Sequence, residues 1–250
     1  MIQNPLWRES MEIFFDEGHG FAVYFYLLTI LAPVVFLSLY IQSLDAQMWS
    51  GSASLFKVSA VTALLLMVYF TLRVANQEFA PWRFKTLRYW LGERGHSASR
   101  ISQGQLAFLV SHVGLSLLLC APLLVWAGAI SRTPTDRVAA TFFLLAFYAV
   151  SYGIWGLAAL ALWERRLETR QVFIRCFFVA LIMISALVYL PLNPVAYLLA
   201  YLGRQELQPL TIYGRQWPAA MAHFAFHLLL GYAGYWAHRW ALKREVPIEP

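Results

Sequence analysis

Residues 73–105 read RVANQEFAPWRFKTLRYWLGERGHSASRISQGQ and concentrate charge in a chain that is otherwise mostly apolar. Arg73, Arg83, Lys85, Arg88, Arg94 and Arg100 stand there against only Glu78 and Glu93. A basic segment flanked on both sides by long apolar runs is how a cytoplasmic loop of a multispanning protein reads, because Lys and Arg are kept on the inner side of the membrane. Within the segment, Trp82, Phe84, Leu87 and Leu91 alternate with Arg83, Lys85 and Arg88. That pattern predicts a short amphipathic helix over residues 80–92, lying in the membrane interface with Pro81 fixing its start. Its basic face has two uses: anchoring to anionic lipid, or pairing with acidic groups on a partner protein.

The composition outside this loop agrees with the reading. Of 250 residues, 60% are hydrophobic and 13% charged, where a soluble domain carries about 25% charged residues. A helical span takes roughly 20 apolar residues, and about six such windows fit, leaving no room for a separate soluble domain. They fall near 22–42, 55–72, 105–130, 138–163, 173–192 and 218–241. The expectation is one all-α polytopic membrane domain over residues 1–250. The net charge of +6 is spread over loops, as the positive-inside bias requires, and does not indicate a nucleic-acid groove.

The turn LDAQMWSGSAS after the first span has no Lys or Arg, and SRTPTDR joins the third and fourth spans, so both are expected outside. ERRLETRQVFIR, with Arg165, Arg166, Arg170 and Arg175, reads as a second cytoplasmic loop. This topology puts both termini inside, with fourteen basic residues on the inner side. Lys57, Arg132, Arg137, Arg204 and Arg215 remain on the outer side. The expected location is the inner (plasma) membrane. The opening MIQNPLWRES lacks the features of a cleaved signal, so the first span is expected to persist.

Three smaller features stand out. Residues 7–18 set Trp7, Met11, Phe14 and Phe15 at helical spacing opposite Arg8, Glu9, Glu12, Asp16 and Glu17, which predicts an interfacial amphipathic helix. Its acidic face would repel anionic headgroups, so a protein contact is expected there; the alternative is a plain lead-in to the first span. Asn193 followed by Pro194 opens a short apolar helix ending at Gly203, too short to span and expected to be re-entrant or laid on the outer surface. A cap over the outer helix ends is the other reading. Pro122 is expected to kink the third span unless neighbours satisfy the freed backbone.

The chemical candidates are few. His112, His223 and His227 fall inside spans, where ionisable groups are functional suspects. His223 and His227 are i and i+4 on one helix face, a spacing that suits a metal or haem. At 1.5 Å per residue, however, His112 and His227 differ by about 8 Å in depth, so hydrogen bonding between helices is the competing role. Ser151 near Gly153 lacks the glycine before the serine that an intramembrane protease uses, and Ala149, Gly153 and Gly156 read as small residues for close packing. Cys120 and Cys176 show no metal spacing and are not expected to pair. No G-x-x-x-x-G-K-[ST] occurs, so any ATP is bound by another subunit.

The order of parts resembles the ABC-2 type permease family over most of the chain. The resemblance rests on the N-terminal helix opening with Asn4, Pro5 and Leu6, the six spans, and the charged loop after the second span. Thr86 and Leu87, Ser97 to Ile101, then Gly104 and Gln105 are similar to the family's "G-T-L … L-S-x-x-x-I-x-x-G-K" run. SLLLCAPLLVWAGAIS and LNPVAYLLAYL continue it, the latter similar to the "L-N/S-P" segment before the last span. The chain departs from the pattern in its acidic Glu9, Glu12, Asp16 and Glu17, in Gln105 where the family has Lys, and in the longer spacing from Glu78 to Thr86. The resemblance implies a permease subunit of an exporter that binds no cofactor itself and pairs with a second permease copy or homologue and with ABC ATPase subunits. Glu78, Arg83, Lys85, Arg88, Arg165 and Arg166 are then the residues expected to couple to the ATPase. The alternative is a membrane anchor or scaffold that does not transport, including a haem-bearing quinone-linked anchor.

Overall fold

The computed structural model describes residues 4–16, 18–44, 53–212 and 214–244. Among the described residues, eight α-helices are found in this order: α1 (Pro5–Asp16), α2 (His19–Leu44), α3 (Ala53–Ala75), α4 (Ala98–Ile130), α5 (Thr135–Leu162), α6 (Leu167–Val188), α7 (Pro194–Gly203) and α8 (Ala219–Arg244). Among the described residues, α2 to α6 are the helices long and apolar enough to cross a membrane. The architecture is that of a mostly helical multi-pass membrane protein. Residues 45–52, most of the stretch LDAQMWSGSAS where a turn is expected, lie outside the described residues.

The sixth expected span falls on α8, a helix of 26 residues that is not among those long and apolar enough to cross a membrane. Its composition sets it apart from the other five, because His223, His227, His238 and Arg239 interrupt its apolar face. α4 is longer than the expected third span: it starts at Ala98, where the Ser97 hydroxyl accepts from the Arg100 N–H, and runs unbroken through Pro122.

α3 and α5 form the centre and α6 the flank. In α5 the small residues are where the backbones meet: a methyl group on Gly156 would fall 2.5 Å from the Leu72 carbonyl oxygen, and one on Gly153 would meet Thr71 and Leu109. Leu27, Leu31, Leu64, Met67, Tyr148 and Tyr152 fill the core around this contact. α6 is only 11% buried over its apolar window, and α2 28%.

α5 and α8 run side by side in the same direction. Tyr148 meets His223, Tyr152 meets His227, and the Trp155 indole donates to the Leu230 carbonyl, each pair 75 residues apart in sequence. Gly231 lies against Ser151, and Gly234 against the Trp155 ring.

One local expectation is corrected. No α-helix starts at Pro81: residues 76–84 are turns and bends, with Gln77 at φ 56, and the helical part is confined to residues 87–93, with a π turn over Tyr89–Glu93. Glu164, in the α5–α6 turn, accepts the Leu87 N–H at 2.5 Å, a first-turn donor that a helix leaves unpaired, and so fixes the start of the short helical segment at residue 87. The helical fold carries one small addition. A two-stranded hairpin, β1 (Leu210–Ile212) and β2 (Arg215–Trp217), pairs Leu210 with Trp217, and Gly214 at φ 73 supplies the left-handed turn conformation.

Candidate functional site

One end of the bundle, the loop end, gathers α1, the segment 76–97, the 163–166 turn and the last turns of α8. Leu6, Leu87, Trp90, Ile101, Ala161 and Leu242 form one buried apolar cluster that joins all of them. The N-terminal helix is fixed against α4 by polar contacts too. Asn4 Nδ2 donates to the Arg100 carbonyl at 2.8 Å, and the Trp7 indole donates to Ser111 Oγ at 3.1 Å. Further along α1, Phe14 packs edge-on against Phe108 and His112.

The protein contact expected for the acidic face of α1 is supplied by the chain's own loop. Glu9 faces Lys85 and Arg94 of that loop. Burial raises its carboxyl pKa, and those two cations oppose the shift. Arg8 and Glu12 pair on the solvent side at 2.7 Å.

The six expected coupling residues divide into two groups. Glu78 is turned inward, its side chain 1% exposed, accepting from Arg73 Nε at 2.9 Å and Asn76 Nδ2 at 3.1 Å. Arg170, buried at the start of α6, faces the charges of both Glu78 and Glu164. Glu78 therefore belongs to an internal network joining α3, α6 and the α5–α6 turn. Arg83, Lys85, Arg88, Arg165 and Arg166 are all exposed. They lie on the two loops that the Leu87–Glu164 bond holds together. Trp82, 75% exposed, projects beside Arg83.

The intramembrane histidines lie in two separate places. His223 Nδ1 bonds the Pro191 carbonyl at 2.6 Å, and its Nε2 bonds Tyr148 Oη at 2.5 Å. His227 Nε2 bonds the Leu192 carbonyl at 3.1 Å, and its Nδ1 bonds Tyr152 Oη at 2.9 Å. A carbonyl only accepts, so the nitrogen facing it carries the proton and the other accepts from the tyrosine hydroxyl. Both ring nitrogens of each histidine are thus engaged in hydrogen bonds between elements. His112 is elsewhere, stacked on Tyr24 and bonded to its hydroxyl through Nδ1 at 3.1 Å. Among the described residues, no three His, Cys, Asp or Glu side chains come together as a metal-ligand set. Cys120 and Cys176 are both free.

α7 is positioned by the same histidines. Asn193 caps it, accepting from Val195 and Ala196 N–H, and its amide donates to the Ile182 carbonyl of α6 at 2.8 Å. Tyr197 stacks on His223 with ring centroids 3.8 Å apart. The sequence reading missed three members of this polar interior. His238, fully buried and bonded to the Leu157 carbonyl at 3.2 Å, stands beside Arg239 and so reads as part of a charged helix end. Tyr148 and Tyr152 were the other two, and their i, i+4 spacing, which matches that of His223 and His227, was the available signal. Neither a family model, a curated protein nor a solved structure matches the chain.

Proposed function

We propose that the chain is the membrane-spanning permease subunit of an ABC-2 type exporter or related ABC complex in the plasma (inner) membrane, with ATP hydrolysed by a separate ATPase subunit. The observation that carries the proposal is the build of the loop end. An apolar cluster and the Leu87–Glu164 bond tie the N-terminal helix, both loops and the end of α8 into one platform, with five basic side chains exposed on it. A lipid anchor needs the charge but not the stiffness; a subunit that receives movement from a partner needs both. α4 gives the movement a route, since it rises from the platform as a continuous helix of 33 residues.

The six-span count is supported by the α5–α8 pairing. α8 keeps one register against α5 across three bonds, so a membrane that contains α5 contains α8 at the same depth. An even count then returns both termini to the basic side, which the positive-inside bias makes cytoplasmic. The bundle interior is closed by the tyrosine–histidine bonds, so a substrate path requires a second permease copy or homologue, and the sparsely buried α2 and α6 are the faces free to meet it. ATP-driven closure of the ATPase pair would move the platforms and switch the assembly between two arrangements.

The same closed interior favours one other reading, a scaffold that recruits an ATPase without transporting. In both readings the histidines hold helices together and carry no haem. Affinity purification from the native membrane tests the shared part. An ATPase chain retained in equal copy, with ATP hydrolysis in the purified fraction, is the expected result; a chain recovered with no nucleotide-hydrolysing partner would remove both readings.

A further inference from the structure

Away from the loop end the chain carries few basic residues, and the fold gathers them. Lys57 near the start of α3, Arg132 in the α4–α5 turn, Arg137 in the first turns of α5 and Arg204 after α7 line a single pocket of about 270 Å3. These four come from three separate stretches of the sequence and include all but Arg215 of the basic residues expected on that side. Among the described residues, no acidic side chain lines the pocket. Asp136 is the nearest carboxylate in sequence; it is exposed and does not face into the pocket. Among the described residues, Lys57, Arg132 and Arg204 have no ion pair, and Arg137 donates only to the Leu202 carbonyl, at 3.1 Å.

Like charges that converge without a counter-charge repel one another, and an anion among them reverses the sign of the interaction. The pocket also has the polar geometry for one. Thr133 lines it, and Pro134, which lines it too, stands at the N-cap of α5 with no side-chain cap. The positive end of a 28-residue helix therefore opens beside the arginines. Guanidinium forks match phosphate oxygens in pairs. The volume is just below the roughly 300–1,000 Å3 of pockets for drug-sized ligands, which suits a small anionic group better than a large molecule.

We propose that this pocket binds a phosphate-bearing anion, either the phosphate of a membrane-lipid headgroup or a soluble phosphate compound. The inference rests on the pocket alone and is independent of the transport reading.

The test uses the full chain purified in neutral detergent. Native mass spectrometry compares retention of phosphatidylglycerol with that of phosphatidylcholine, and thermal unfolding is followed against added inorganic phosphate. A preference for phosphatidylglycerol identifies a headgroup site; stabilisation by phosphate without that preference identifies a soluble ligand. Either effect is expected to fall about fivefold for each charge removed, in Lys57→Gln and then in Arg132→Asn with Arg204→Asn. Asn is chosen because Arg132 and Arg204 have φ of 51 and 56, a region Asn tolerates. Lys57 makes no hydrogen bond among the described residues, so Lys57→Gln still decides the matter if the double variant does not fold. Arg215→Gln, outside the pocket, is expected to change nothing. The proposal is overturned if neither probe acts on the wild type, if Lys57→Gln binds as the wild type does, or if Arg215→Gln weakens binding as much as Lys57→Gln.

Discussion

His223 and His227 each satisfy both ring nitrogens, while His112 makes one bond, to Tyr24, and its buried Nε2 has no partner. Removing an imidazole therefore has unequal consequences. His223→Ala strands a buried hydroxyl on Tyr148 and leaves the Pro191 carbonyl without its donor, a loss of about 1–3 kcal/mol. His112→Ala gives up one interhelical bond, for which about 0.6 kcal/mol is typical inside a membrane. Thermal unfolding in detergent should thus fall further for His223→Ala than for His112→Ala, and equal losses would contradict the assigned network. The helical spacing of 223 and 227 is legible in the sequence, because i, i+4 places both on one face. Their partners are not: Tyr148 and Tyr152 become partners only through the α5–α8 register, which is set by packing 75 residues away.

At the level of elements, glycines separate close packing from simple helix weakness. Gly156→Ala drives a methyl group into the Leu72 carbonyl oxygen and is expected to cost about 1–3 kcal/mol by prising α3 from α5. Gly114, in α4, has open space around it, so Gly114→Ala should be neutral or stabilising by up to about 1 kcal/mol. Unfolding measurements on the two variants check the contrast, and parallel behaviour would mean that the α3–α5 contact is looser than described. The long apolar runs made α2 to α6 legible, since length and hydropathy suffice for a membrane helix. The 80–92 segment misled because its amphipathic pattern is genuine but its backbone is held by Glu164, on another loop. Glu164→Ala should accordingly speed hydrogen exchange at the Leu87 amide by at least about tenfold, the ratio that corresponds to about 1.4 kcal/mol of lost protection. Unchanged exchange would show that the apolar cluster alone sets the loop.

For the whole molecule, the charge asymmetry orients the bundle. Single cysteines at Thr135 and Gln205, exposed at the end away from the basic loops, should react with an impermeant thiol reagent added outside cells, and a cysteine at Arg165 should not. Labelling at Arg165 from outside, or protection at the other two, would invert or break the topology. On the proposed orientation Arg83, Lys85, Arg88, Arg165 and Arg166 face the cytoplasm, where the proposed ATPase would meet them. The basic surface was legible as charge; the platform beneath it was not, because Leu6, Leu87 and Leu242 come together only on folding. The most direct measurement is co-purification of an ATPase with the wild-type chain and with the Arg83→Glu/Arg88→Glu double variant, at moderate salt and with membrane insertion checked in parallel. The wild type should retain the ATPase and the double variant should lose it while inserting normally. A double variant that keeps its ATPase at the wild-type level would contradict the docking role of this surface.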